Sequence, residues 1–220
     1  MNAAVLGVAA GARAAAGKLA LNGWQVRVWD LPAFAQGLDA LRDDPRIELS
    51  GQTEGSAQLD AAPAEIGEAV QGASLIVVVT QAQGHAPVAE LLAPVIEADQ
   101  TVVVMPGSTG GALEVRRIIG DARGFVPTVA ETATLPYAAR IQGERGVRII
   151  HHVGLVKLAA LPATDTARVV ELLQPVFPGL SPAANVLETM LSNGNPVIHP
   201  AVMLLNAGLV ERMIDSILEP

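Results

Sequence analysis

Asn195, His199 and Asn206 lie four and seven residues apart in the stretch Asn193-Gly-Asn-Pro-Val-Ile-His199-Pro-Ala-Val-Met-Leu-Leu-Asn206-Ala-Gly208. In a helix begun near Pro196 that spacing sets all three along roughly one face. An imidazole flanked by amides suits proton transfer to a small polar substrate. Histidine ordinarily titrates near neutral pH, so it can serve as acid or base, and an amide one turn away can orient the ring or the substrate. The same residues also have a structural reading, with Asn195 as a helix cap and His199 as a hydrogen-bonded core histidine.

Such a group needs a rigid support, and the start of the chain supplies one. Ala3 to Gly7 is a short apolar run, Gly7 to Ala12 a Gly/Ala turn, and the Ala-rich stretch up to Asn22-Gly23 a helix with its stop signal. Gln25-Val-Arg-Val-Trp29-Asp30 then alternates as a strand that ends in an acid. This β-α-β order binds a dinucleotide when backbone amides at the helix start reach the pyrophosphate and an acid about 20 residues on takes the ribose hydroxyls. Gly7, Ala9, Gly11, Ala12 and Asp30 are the candidates, and an acid without a neighbouring arginine favours NAD over NADP. In a G-x-G-x-x-G count from Gly7, alanine stands at the second and third glycine positions. Ala12 is an accepted substitute, whereas Ala9 sets a Cβ where a pyrophosphate would approach. Arg13 is a possible compensating phosphate contact or a solvated side chain. A turn that holds the fold without gripping a cofactor is the competing reading.

The rhythm continues. A helix is expected over 32–41, a hairpin over 47–56 and a helix over 63–70. The apolar runs 74–80 and 101–105 read as buried strands, with helices at 86–97 and 110–119 and a strand at 125–130. The fold class is therefore α/β, a doubly wound, Rossmann-like parallel sheet. Ligands in such sheets sit at the carboxyl ends of the strands, where Thr80 to His85, Pro106-Gly107 and Glu131-Thr132 fall. His85 reads equally as a loop histidine without a partner. A second hairpin is expected about Gly143 to Gly146, a helix capped by Thr164 runs to 176, and Pro175, Pro178 and Pro182 mark a linker. The expected division is a dinucleotide-binding-type domain at 1–180 and a helical extension at 181–220.

Composition narrows the function. A net charge of -8 disfavours nucleic acid and anionic membrane partners, and 3% aromatics leave no platform for base stacking. Cysteine is absent, which removes thiolate metal and redox chemistry. Adjacent His151 and His152 would face opposite sides of a strand, so no metal site is expected. With no apolar run of 18 residues and no basic leader, a soluble, cytoplasmic protein is expected.

Several tracts together resemble the opine dehydrogenase family, of the octopine and nopaline type: Met105 to Glu114, Glu131 to Arg140, Ala159 to Ala163, Asn185 to Thr189, and Asn193 to Gly208. The resemblance covers essentially the whole chain. It implies NAD(P)-dependent coupling of an amino acid to a 2-oxo acid through an imine, with His199 as acid/base and Asn195 orienting the substrate or the ring. It further implies Thr80, Pro106 and Gly107 beside the cofactor, Glu131 and Thr132 near the nicotinamide end, and Asn206 on the substrate side. The chain departs from the family at Ala9 and Ala12, and it ends where family members continue into a helical domain. A cofactor-independent relative using His199 for isomerase- or cyclase-type chemistry, or a binding module without catalysis, is the alternative. Pro200 to Leu218 is apolar nearly all round, so a homodimer through this helix is expected.

Overall fold

A computed structural model of the chain describes residues 1–209. β1 (Asn2–Leu6), α1 (Ala10–Leu21) and β2 (Gln25–Trp29) form the β-α-β unit, with Asn2 opposite Gln25 and Leu6 opposite Trp29. A 3-10 turn at Pro32–Leu38 and α2 (Asp39–Asp43) replace the single helix expected there. The hairpin β3 (Arg46–Gly51) and β4 (Gly55–Gln58) follows, then α3 (Ile66–Val70). β5 (Leu75–Val78) pairs with the free side of β1, and α4 (His85–Leu92), β6 (Thr101–Val104), α5 (Gly111–Arg123) and β7 (Thr128–Thr132) carry the alternation on. The parallel strands lie in the order β2-β1-β5-β6-β7. The chain reverses direction across the sheet between β1 and β5, the switch point at which doubly wound sheets bind ligands.

Beyond β7 the chain adds β8 (Tyr137–Gln142), β9 (Gly146–His152), β10 (Val156–Leu161), α6 (Thr166–Leu173), β11 (Leu180–Pro182), α7 (Val186–Leu191) and α8 (Asn195–Leu205). β10 joins β7 antiparallel, and β11 joins β10. The proline-rich stretch expected as a linker thus contains an edge strand, where a missing N–H is tolerated. Thr164 does not cap α6; it lies in a 3-10 turn, and Thr166 Oγ1 accepts from the Ala160 amide at 3.0 Å. Packing continues past residue 180, because α7 docks on β7 and β10 with Val186 and Thr189 buried.

The two hairpins do not hang free. β3 pairs parallel with β9, which makes a second sheet in the order β4-β3-β9-β8 that lies over α1. α1 is consequently covered on both sides, with Ala12, Ala14, Ala15, Ala16 and Leu19 fully buried. This explains its composition: a helix enclosed all round carries no polar stripe, and close approach on two faces requires small residues. At Gly17 an added Cβ would lie 2.6 Å from Leu49 Cδ1.

Candidate functional site

The rim at the carboxyl ends of the parallel strands is assembled around Gly7. Its φ of +132° is a backbone region that L side chains rarely adopt, and an added Cβ would stand 2.3 Å from the Val79 carbonyl oxygen on the neighbouring strand. Gly7 donates its amide to Trp29 O at 2.6 Å, so the turn is tied across to β2. The same hypothetical Cβ would meet Ala12 Cβ at 3.2 Å, which is the close helix-to-strand packing that keeps position 12 small. Ala9 has an ordinary extended backbone (φ -67°, ψ 176°), so alanine is unstrained there, and the residue is exposed. No side chain caps α1 and no acid lies in its first turn, so its leading amides remain available to an anion.

Asp30 is drawn into this turn. The amides of Leu31 (2.7 Å) and Val8 face its carboxylate, while burial pushes its pKa above the usual carboxylate value. Arg13 has neither role expected of it. It is buried, and it donates to the carbonyls of Val8 (3.0 Å), Gly37 (3.1 Å) and Glu144. Its guanidinium therefore clips the glycine turn to the 3-10 segment and to the β8–β9 turn, with each of its three nitrogens donating to a protein carbonyl. Tyr137 adds a second clip by donating its hydroxyl to Gly11 O at 2.8 Å.

On the other side of the switch point, a cis peptide at Met105-Pro106 leads into Gly107, whose amide donates to Thr132 O at 3.0 Å. Gly107 must be glycine because an added Cβ would fall 2.3 Å from Glu131 Oε2. Glu131 is itself almost fully buried. Oε2 accepts from the Ala112 amide at 3.0 Å, and Oε1 lies 2.5 Å from Thr189 Oγ1. Thr189 also sits 2.7 Å from the Val186 carbonyl and has only one proton to donate. If that proton goes to Val186, Glu131 must supply the other hydrogen as a carboxylic acid. Burial, which pushes the Glu131 pKa up, agrees with this. Both Glu131 oxygens are engaged in these bonds, and the residue positions the 107–112 turn. Thr189 was not legible as its partner, because 58 residues separate the two.

A raised pKa sets the sign of the pH effect. The contribution of Glu131 to stability is complete below its unfolded value near 4.5 and falls as pH rises through the higher folded value. Glu131→Gln keeps the shape of the acid and should flatten this part of the pH profile. Glu131→Ala strands the Ala112 amide and should cost about 1–3 kcal/mol. Urea midpoints of the three proteins across pH check both outcomes.

Thr80 Oγ1, Thr132 Oγ1 and His85 Nε2 are buried around the same rim without a hydrogen-bond partner among the described residues. His85 lies against Gly111, whose added Cβ would be 2.8 Å from Nδ1, and burial lowers its pKa against the opposing pull of Glu114.

His199, Asn195 and Asn206 are not brought to this rim by any hydrogen bond among the described residues. Asn195 and His199 are exposed on α8. The N-cap of that helix is Gly194, with no side-chain cap, so Asn195 is its first residue and not its cap; Asn193 Oδ1, just outside the helix, accepts from the Asn195 amide at 3.1 Å. Asn206 is half-buried and donates to Val202 O at 2.9 Å, closing the helix end. Among the described residues no group of three or more acidic or histidine side chains could hold a metal ion, and no helix is long and apolar enough to cross a membrane.

The strand order, the glycine turn and the acid at the end of β2 define a Rossmann-like α/β fold with a parallel-dominated sheet. The opine dehydrogenase of Arthrobacter sp. (strain 1C) is 35% identical over 209 residues, which cover 94% of this chain and 58% of that protein. The chain is a homologue of the opine dehydrogenases. Octopine dehydrogenase, solved with NADH and L-arginine, superimposes with a TM-score of 0.78 at 22% identity over 92% of this chain and 53% of its own. Yersinopine dehydrogenase with NADP+ bound does so with 0.77 at 14% identity, over 93% and 52%. No protein-family model matches the chain. It spans little more than half the length of these relatives.

Proposed function

We propose that the chain binds a nicotinamide dinucleotide, NAD in preference to NADP, across the β1–β5 switch point, as the nucleotide half of an opine dehydrogenase-type oxidoreductase. The observation that carries the reading is the Gly7–Asp30 arrangement: a turn with no room for a Cβ, uncapped helix amides beside it, and a carboxylate held against the turn by the Val8 and Leu31 amides. The orphaned Thr80, Thr132 and His85 atoms fit the same reading, since buried polar groups normally find partners. Asp30 favours NAD, because a 2′-phosphate would meet its charge. Bound there, the cofactor would exchange a hydride with the substrate.

The chain's own residues would divide the remaining work. Gly7, Gly11 and the first amides of α1 would take the pyrophosphate, with Ala9 and Ala12 shaping the turn, and Asp30 would accept from ribose hydroxyls. Thr80, Pro106 and Gly107 would border the cofactor, and Thr132 with Asn206 would face the substrate. His199 would hold the proton delivered to a 2-oxo acid or imine, oriented by Asn195. Titration of the purified protein with NADH and NADPH, followed by calorimetry, tests the reading. Micromolar NADH affinity that exceeds NADPH affinity is expected, and no binding at millimolar cofactor retires it.

We place a homodimer contact on α8. Val197, Ile198, Val202, Met203, Leu204, Leu205 and Leu209 are all more than half exposed, and clustered exposed apolar side chains of this kind mark interaction surfaces. The expected helix over 200–218 is described only to residue 209. Sedimentation velocity should give a dimer at micromolar concentration; a stable monomer removes this contact.

A further inference from the structure

Away from the switch point, the last turn of α1 carries a side chain that the dehydrogenase reading does not use. Lys18 is 7% exposed, yet among the described residues its ammonium makes no ion pair and no hydrogen bond. The Phe177 ring lies beneath it, 5.9 Å from Nζ to the centroid. The stem is enclosed and desolvation lowers the Lys18 pKa, while the ammonium at its tip keeps contact with solvent. This chain has 22 acidic residues against 14 basic ones, and still no described carboxylate lies within ion-pair distance here.

Lys18 opens instead onto a cavity of about 370 Å³, which it lines with Pro136, His152, Phe177, Pro178 and Gly179. The walls are built. Phe177 is fully buried and packs at 6.0 Å on Tyr137. His152 is held from behind, its Nε2 3.0 Å from Thr53 Oγ1 and its amide donating to Gln52 Oε1 at 2.9 Å. At Gly179 an added Cβ would strike the Val153 carbonyl oxygen at 2.4 Å, so the floor closes only with glycine. The imidazole feels the ammonium: burial first, then the Lys18 charge, push the His152 pKa down.

We propose that this cavity is a second small-molecule site, which takes an organic carboxylate with an apolar body. The carboxylate would meet Lys18 and the body would lie against Phe177 and the two prolines. A charge-assisted bond to a partly desolvated ammonium supplies orientation, and the ring and prolines supply apolar contact. Lys18 is seven residues beyond Gly11, about 10 Å along the helix, so the site is distinct from the nucleotide rim and does not depend on it.

The test is calorimetric titration of the full chain with benzoate, with inorganic phosphate as an anion lacking an apolar body. Saturable benzoate binding is expected, weakened about tenfold or more in Lys18→Met, an energy of about 1.4 kcal/mol, and retained in Lys18→Arg. Phosphate should bind more weakly than benzoate in the wild-type chain. NADH affinity, measured in parallel, should be the same in Lys18→Met as in wild type, which separates failure of this site from failure of the nucleotide site. If Lys18→Met does not fold, the His152 ring resonances of the wild-type chain provide the second measurement and should move on benzoate addition. No saturable benzoate response, equal binding in wild type and Lys18→Met, or an unmoved His152 signal would each overturn the assignment.

Discussion

Gly7→Val is expected to abolish NADH binding and to destabilise the fold by more than about 4 kcal/mol, the range reserved for substitutions with a named steric cause. Two costs add at this position. The backbone sits at φ +132°, so any side chain is strained, and the new Cβ would stand 2.3 Å from Val79 O, just past the carboxyl ends of β1 and β5. Neither atom is free to move, since Gly7 is bonded to Trp29 O and Val79 donates its amide to Leu6 O at 2.8 Å. Gly23→Ala is the control. Gly23 also has positive φ, +81°, but its added Cβ would meet nothing within 4 Å. It should cost only about 1 kcal/mol, the strain alone. Urea unfolding of both variants, with NADH titration of whichever remains folded, checks the pair. A Gly7→Val protein with the wild-type midpoint would refute the clash argument.

His199→Ala should lower turnover of an oxo-acid and amine pair by about 10²–10⁴-fold, the usual contribution of a positioned acid or base. NADH affinity should be unchanged, because His199 makes no hydrogen bond to the rim and lies exposed on α8. The loss should therefore fall on kcat and not on cofactor binding. Rates of NADH oxidation across pH, for wild type and variant, give the measurement. An unchanged rate would remove this histidine from the chemistry and leave its place on one face with Asn195 as helix surface only.

Glu131 and Arg13 show how residue type and residue role part company. Both read from sequence as groups that could meet a ligand. In the folded chain Arg13 spends its donors on three carbonyls, and Glu131 bridges the 107–112 turn to α7. Each holds the shape of the rim from behind. A substitution at either would therefore register first as a change in stability and only then in ligand affinity.

The strand and helix alternation of the sheet was readable because it is a local property: buried parallel strands are short apolar runs, and the glycine turn and Asp30 are separated by a fixed count along one β-α-β unit. The two hairpins were readable for the same reason, from the turn-rich composition of 47–56 and from short β-type runs about Gly143 to Gly146. What the tertiary structure alone decided are pairings between distant segments. Glu48 meets Gly146, joining the hairpins into a sheet over α1, and only then does an alanine-rich helix become a helix buried on two sides. Thr189 reaches Glu131 across 58 residues and Tyr137 reaches Gly11 across 126, and no periodicity within either segment encodes the other. The end of the proline-rich stretch, Leu180–Pro182, becomes a strand because β10 offers it an edge. Sequence periodicity specifies which face of an element is apolar; which other face covers it is determined by where the whole chain can pack.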